Sequence, residues 1–345
     1  MGARKIKALV LVAGGAGFIG SNLVKKLVGH GVAVDCVDNL ITGRLENIRD
    51  LLSQPNFRFI EGDITDPRIA ARLQRRRYTE IYNLACPTGV PNIAILGEEM
   101  LVTSSVGSLN LLKVARRSKA RYLFASTAEA YGDPEVSPQA ETYVGNVDPV
   151  GPRSPYEEGK RFGEALTAYY ARNLGVDARI VRIFNTFGPN MSPNDRRVIP
   201  QMLSSIINQE PVVIFDSGLQ TRTFLHVDDL IEGFFRVMEQ GGSGEVYNIG
   251  GSEEISILEL LEIAKSVTGS DAAPIFKEHF IPDHRRRLPD TRKVKSLGWR
   301  QRISICAGME KSHADMRQAL KLRSTHAAGR KDDKLTAATA LGGAA

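Results

Sequence analysis

The chain reads as an α/β protein, a doubly wound parallel sheet followed by a smaller C-terminal α/β lobe for substrate. Three observations predict it. Short β-branched runs alternate with amphipathic stretches, the first run ends in a glycine-rich turn, and an acid closes the second. The runs are "KALVLVAG" at 7–14, "VAVDCVD" at 32–38, "FRFIEGDI" at 57–64, "EIYNLA" at 80–85, "RYLFAST" at 121–127 and "ARIVRIFN" at 178–185. Near-continuous apolar runs suit strands buried on both faces. Between them, "SNLVKKLVGH" and "LNLLKVARRS" repeat apolar residues at helical spacing, so helices cover the sheet on both sides. With the glycine turn, this makes the sheet Rossmann-type.

From about residue 186 the rhythm loosens into Pro and Gly punctuation and longer polar connections. The expected division is a dinucleotide-binding domain over 5–185, with about 224–250 returning to it, and a substrate lobe over 186–223 and 251–320. "FLHVDDLIEGFFRVME" and "YNIG" lead back to the sheet, and "SILELLEIAKSVTG" forms a helix of the lobe. Residues 321–345 are rich in Ala, Gly, Lys and Thr without apolar periodicity and read as a mobile tail.

Composition narrows the function classes. Among the 345 residues no run of eighteen apolar residues exists, which argues against a membrane span. The opening "MGARKIKALVLVAGG" is short, β-branched and followed by glycines, so it reads as a buried strand rather than a secretion signal. Cys36, Cys86 and Cys306 are odd in number and lack metal-ligand spacing, which suggests free thiols in a reducing cytoplasm and no metal site. The formal charge of +6 gathers in "RRRY" at 75–78, "HRRR" at 284–287 and the tail. No nucleic-acid-binding motif accompanies it, so a solvated basic surface is the favoured reading. Inward-facing arginines would also suit a small anionic substrate such as a sugar nucleotide.

"VLVAGGAGFIGSNL" sets Gly14, Gly17 and Gly20 between the first strand and the first helix. Glycines there allow a tight turn and close approach of a pyrophosphate, which meets the free N–H groups of the helix start. Phe18 and Ile19 lie inside the same turn. Asp38, beside Asn39 at the end of the second strand, can accept hydrogen bonds from an adenosine ribose and repels a 2′-phosphate. NAD is therefore expected over NADP, with Arg44 the one nearby residue that argues the other way. Asp63, followed by Ile64, could meet the adenine or could simply close a turn before "TDP".

"SPYEEGKRF" places Tyr156 and Lys160 one helical turn apart. Such a pair alone says little. Here a dinucleotide site lies upstream, and "FASTAEAYG" brings Thr127 and Glu129 to the carboxyl edge of the sheet, where ligands of such sheets bind. A lysine one turn away is expected to lower the tyrosine pKa from about 10. The resulting phenolate could take a proton from a sugar hydroxyl while hydride leaves the same carbon for NAD, with Lys160 also holding the nicotinamide ribose.

These motifs resemble the extended short-chain dehydrogenase/reductases of the nucleotide-sugar epimerase/dehydratase type, and within them the UDP-glucuronate decarboxylase branch. The resemblance spans about residues 5–312. It is carried by "GGAGFIGSNL", "VDNLITGRLENI", "IYNLACP", "STAEAYGDPEVSPQ", "GNVDPVGPRSPYEEGKR", "RIFNTFGPNMSPNDRRV", "QTRTFLHVDDLIEGF" and "RRRLPDTRKVKSLGW". The resemblance implies that Tyr156 is the base, Lys160 its partner, Thr127 the hydrogen-bonding partner of the sugar 4-hydroxyl, and Glu129 an active-site carboxylate. It implies that Asn185, Arg197, Phe215 and Arg222 hold the nucleotide, and that Arg287 meets the sugar carboxylate. Read from residue chemistry alone, Phe215 could equally be core and Arg287 surface charge. Homodimers are common in the family, and the resemblance implies one here through two helices of each copy, with Phe162, Leu166 and Tyr170 as candidate contacts.

The implied reaction oxidises C4 of UDP-glucuronate to a ketone, loses CO2 from the resulting β-keto acid, protonates C5 and returns hydride to C4, giving UDP-xylose and regenerated NAD. A 4-epimerase or dehydratase acting on another UDP- or dTDP-sugar is the alternative, and a non-catalytic NAD-binding protein the second. Two departures bear on the sugar. Ala128 stands where dehydratases carry an acid and decarboxylases a serine, and the 87–104 segment has Ile93, Gly97 and Ser104 where related decarboxylases carry tyrosine, proline and asparagine.

Overall fold

The computed structural model describes residues 8–278 and 287–321; the arginines at 285 and 286 and the tail beyond 321 lie outside the described residues. The expected strands form β1 (Leu9–Ala13), β2 (Ala33–Asp38), β3 (Phe57–Glu61), β4 (Glu80–Asn83), β5 (Arg121–Thr127) and β6 (Ala178–Ile183). "YNIG" supplies a seventh, β7 (Val246–Ile249). Together they make one seven-stranded sheet in the order β7-β6-β5-β4-β1-β2-β3, with every pairing parallel. The order reverses between β1 and β4. Doubly wound sheets take their ligands at the carboxyl ends of the strands beside such a reversal.

Helices seal both faces. On one side α1 (Phe18–Gly29) and α5 (Val227–Gln240) bury Leu23, Val24, Leu27, Leu230, Phe234 and Val237 against Val10, Val12 and Val181. "FLHVDDLIEGFFRVME" thus returns to the sheet as a helix. On the other side lie α2 (Pro67–Gln74), α3 (97–118) and α4 (Ser154–Leu174), which bury Leu73, Leu111, Leu112 and Tyr170 against Leu11, Ile81 and Phe124. Helix α3 is continuous through Gly97–Val102, a wider π turn at Thr103–Gly107 and Ser108–Ser118. Burying each large apolar side chain contributes about 1.5–3 kcal/mol relative to exposure. Local chemistry sets the ends: Asp66 caps α2 by accepting from the Arg68 N–H at 2.8 Å, and Gly175 closes α4 in the left-handed region.

The C-terminal lobe has its own core. Ile199, Met202 and Leu203 of Val198–Ile207 pack with Leu260 and Leu261 of Ile257–Thr268 and with Met309 and Met316. A capping box between Ser256 and Glu259 starts the second of these helices. Small paired strands tie the lobe together, Val212–Phe215 with Pro274–Lys277 and Thr221–Thr223 with Glu254–Ser256. Thr186–Phe187 and Leu225–His226 pair where the chain leaves and re-enters the sheet domain.

Candidate active site

The glycine turn leaves β1 through Gly14, whose φ of +77° favours glycine. A Cβ at Gly14 would meet the Leu84 and Ala85 backbone at 2.8 Å, and one at Gly20 would strike the Gly14 carbonyl. The bare backbone therefore forms a cradle at the start of α1, and its shape fits a pyrophosphate. Asp38 stands beside it, buried, accepting the Ala16 and Leu40 N–H groups at 2.9 Å each. Burial pushes its carboxyl up, against the pull of those N–H donors.

Asn39 donates to Asp63 at 2.8 Å, and Asp63 accepts the Thr65 N–H and hydroxyl at 2.7 and 2.6 Å. Partial burial would raise the Asp63 carboxyl, but the hydrogen bonds from Thr65 and Asn39 outweigh it and hold the carboxyl low. Asp63 thus closes the turn after β3, while the helix cap itself is Asp66. Ile64 is buried beneath it. Arg44 donates to Asn47 at 2.8 Å and to the Asn190 carbonyl at 3.2 Å, which ties it to the loop after β6.

Tyr156 and Lys160 lie in the first two turns of α4, pressed onto β5. The close approach is possible because Gly163 has no side chain where the Phe124 ring sits. Glu164 fastens the same helix to the sheet, accepting from Ser126 at 2.6 Å and from Arg182 at 2.8 and 2.7 Å. Lys160 is buried, and its ammonium donates to the Ala125 carbonyl at 2.8 Å and lies 5.1 Å from the Phe124 ring centre. Burial lowers its pKa, with the nearby Cys86 and Glu164 opposing.

Tyr156 behaves differently from its expected pairing. Burial pushes its phenol up, the Cys86 and Glu129 charges add to the rise, and the opposing groups are the Thr127 hydroxyl and Arg197. Spacing along the helix suggested Lys160 in that opposing role, but its ammonium is turned to the sheet. Thr127, the last residue of β5, instead reaches the phenol.

Glu129 stands on the single turn Ala128–Tyr131 that follows β5, and its N–H donates to the Thr127 hydroxyl at 3.2 Å. Arg153 donates to one oxygen of the Glu129 carboxylate at 2.5 Å, and Arg287 lies 2.8 Å from the other. Arg153 also donates to Glu157 on the next turn of α4 at 3.2 Å. All four side chains are withdrawn from solvent. Sequence reading singled out Glu129 and Arg287 but missed Arg153 and Glu157. The signal present was "PRSPYEE", an arginine and a glutamate at i,i+4 around the tyrosine.

The remaining predicted residues line the lobe side. Arg197 precedes the helix Val198–Ile207, forks onto Asp195 at 2.5–3.0 Å and lies 5.7 Å from the Phe18 ring centre. Burial works against its charge, but Asp195 prevails and raises its pKa. Arg222 is buried on Thr221–Thr223, and Phe215, half-buried, ends Val212–Phe215. Asn185 follows β6 and accepts the Leu225 N–H at 3.0 Å. The altered 87–104 segment packs on the catalytic helix: Gly97 faces Pro155, and the backbone of Met100 and Leu101 faces Gly159. Ser104, buried, lies 3.8 Å from the Cys86 thiol.

A dinucleotide cradle, a tyrosine–lysine helix and a threonine at the strand end define a Rossmann-fold dehydrogenase-type site. Residues 10–250 match the NAD dependent epimerase/dehydratase family, and the chain belongs to that family. Curated relatives are UDP-glucuronic acid decarboxylases. One, from Arabidopsis thaliana, is 41% identical over 312 residues, 90% of this chain and 70% of the relative. Another, from Xenopus tropicalis, is 39% identical over 318 residues, 92% and 74% of the two chains. Among solved structures, the UDP-glucose 4-epimerase of Thermotoga maritima with UDP-glucose superposes with a TM-score of 0.82 at 31% identity, covering 90% of this chain and 99% of its own. The UDP-glucuronic acid 4-epimerase of Bacillus cereus, with UDP-glucuronic acid and NAD, gives 0.81 at 27% identity, with 90% and 99% covered.

Proposed function

We propose that the protein converts UDP-glucuronate to UDP-xylose through a 4-keto intermediate. The observation that carries this reading is the Glu129 carboxylate held by Arg153 and Arg287 beside Tyr156. Two arginines converging on a carboxylate at the sugar end of the cleft make a place where a second carboxylate, that of a hexuronate, can bind. The relatives named as decarboxylases support it.

The glycine cradle and Asp38 would hold NAD, which when bound would supply the hydride acceptor and, once reduced, the hydride donor. Tyr156 takes the proton of the sugar 4-hydroxyl, and Thr127 holds that hydroxyl in line. Because burial raises the phenol, a positive charge close to it is needed for the phenolate to form at neutral pH. Lys160 fixes the helix on the sheet and, with the cofactor bound, would hold its nicotinamide ribose. Arg287 takes the sugar carboxylate. Asn185, Arg197, Arg222 and Phe215 line the diphosphate and base end. Once C4 is a ketone, the C5–C6 bond breaks, CO2 leaves, and its electron pair enters the ketone as an enolate.

NMR of the products formed from UDP-glucuronate tests this reading. CO2 with a UDP-pentose is expected. A C4-inverted hexuronate would replace it with the epimerase reading.

The same reading includes a homodimer. Helix α3 carries one outward stripe that begins with Glu98 and Glu99, continues through Val102 and Val106, exposed by 36 and 42%, and ends in Lys113, Arg116 and Arg117. Helix α4 adds Phe162 and Tyr169, 55 and 51% exposed, whereas Tyr170 faces the sheet. An antiparallel two-fold pairing sets the acidic end of one copy against the basic end of the other and covers the apolar middle. Sedimentation checks it: Glu98→Lys with Glu99→Lys should shift the protein toward monomer, and adding Arg116→Glu with Arg117→Glu should restore the dimer. We also assign the protein to the cytoplasm, on its free cysteines. No helix among the described residues is long and apolar enough to cross a membrane.

A further inference from the structure

The buried charges around Glu129 alternate along a chain: Glu157, Arg153, Glu129, Arg287. The two arginines are not equivalent. Arg153 is 9% exposed, precedes the first residue of the catalytic helix, and is braced from both sides, by Glu157 three residues before Lys160 and by Glu129 at the sheet edge. Arg287 comes from much later in the chain, within the lobe segment, and meets the other oxygen of Glu129.

A hexuronate carboxylate entering the cleft competes with Glu129 for Arg287. When Arg287 turns to the substrate, Arg153 remains as a charged partner of Glu129. That partner is bound to the helix that carries Tyr156. A carboxylate paired with an arginine is a strong hydrogen-bond acceptor, and it can orient a water at the sugar.

We propose that Arg153 is a positioning residue for decarboxylation: it holds Glu129 at one face of the sugar while Arg287 binds the substrate carboxylate, so that C5 is protonated from that face alone. The step balances. Loss of CO2 leaves the C5 electron pair in the enolate, the water that Glu129 orients gives a proton to C5 as the C4 ketone re-forms, and the hydroxide left behind takes a proton from bulk solvent, so the step consumes one solvent proton. Arg153 touches neither sugar nor cofactor and acts through Glu129. This inference rests on the decarboxylase reading above.

The test is turnover of UDP-glucuronate in D2O by the full-length protein and by Arg153→Gln and Arg153→Lys, with NMR of the C5 position of the product. Wild type should place deuterium at one of the two C5 positions. In Arg153→Gln, kcat should fall on the order of 100-fold, the scale of a misplaced group at a reacting centre, with KM changed less than about threefold and deuterium at both positions. Arg153→Lys should recover part of the single-position labelling, and it decides the question if the glutamine variant does not fold. Single-position labelling at unchanged kcat in whichever variant folds would overturn the proposal. A wild-type protein that releases no CO2 would instead overturn the decarboxylase reading, and this inference with it.

Discussion

The two sides of the cleft are built by different means. The cofactor side is mostly backbone: a glycine turn, the start of α1, and Asp38 accepting main-chain N–H groups of Ala16 in that turn and of Leu40 in its own. Its parts all lie within the first strand–helix–strand unit. The sugar side consists of long charged side chains reaching from separate elements, with Glu129 after β5, Arg153 before α4 and Arg287 in the lobe segment. A backbone cradle tolerates little change, since a single Cβ fills it. Side-chain networks can be exchanged residue by residue, and a family can keep one cofactor while changing its sugar on the second kind of surface alone.

The largest effect expected is on the phenol between the two sides. Tyr156→Phe should lower kcat by about 10²–10⁴-fold, the range for a general acid–base group, while NAD binding and melting temperature change little. Rapid kinetics with a parallel NAD titration checks this. Wild-type turnover in the variant would remove Tyr156 from the chemistry and leave the two sides without their shared residue.

A smaller effect belongs to the seam between the sheet domain and the lobe. His226 is buried there, its ring 5.7 Å from that of Phe187, with its Nδ1 accepting the Asp228 N–H at 3.2 Å. Its Nε2 is buried with no hydrogen-bond partner. Burial lowers its pKa below the ordinary value near 6.5, with Lys311 adding and Asp228 and Asp229 opposing. The folded state therefore favours the neutral ring. Its contribution to stability is complete above about pH 6.5 and is lost as pH falls through the lowered folded-state value. Melting temperature should fall below pH 6.5 more steeply in wild type than in His226→Gln. Equal slopes would show that the seam is not what acid loosens.

The same contrast explains what could be read beforehand. The glycine turn and the tyrosine and lysine of α4 announce themselves because their residues lie within a turn or two of one another, and Asp38 because it closes the strand that follows the glycine turn's helix. So do the strands, whose apolar runs match β1–β6 closely. Arg153 and Glu129 are 24 residues apart, and no short pattern joins them. Spacing also leaves direction open. It put Lys160 beside Tyr156, but the ammonium turns to the Ala125 carbonyl. It grouped Phe162 with Tyr170, although the helix presents one outward and buries the other. Only packing against the sheet decides which arc of a helix faces in.

The smallest effect, and the most direct probe of the sugar side, is at Ala128. This residue is 7% exposed, opens the turn that carries Glu129, and packs with Tyr131 and Phe184. It lies in sequence between Thr127 and Glu129, the two residues proposed to meet the sugar. If UDP-glucuronate is the substrate, Ala128→Ser adds a hydroxyl that can hydrogen bond to it. A net hydrogen bond is worth about 0.5–1.5 kcal/mol, so turnover should rise about two- to tenfold. A slightly lower melting temperature should accompany it, because in the free protein the hydroxyl enters an apolar cluster. A rise confined to UDP-glucuronate, absent with UDP- and dTDP-hexoses, would mean the sugar side still reads a hexuronate and that alanine merely weakens the grip. Unchanged or lower turnover would mean that the altered 87–104 segment and Ala128 have been refitted together to a different sugar.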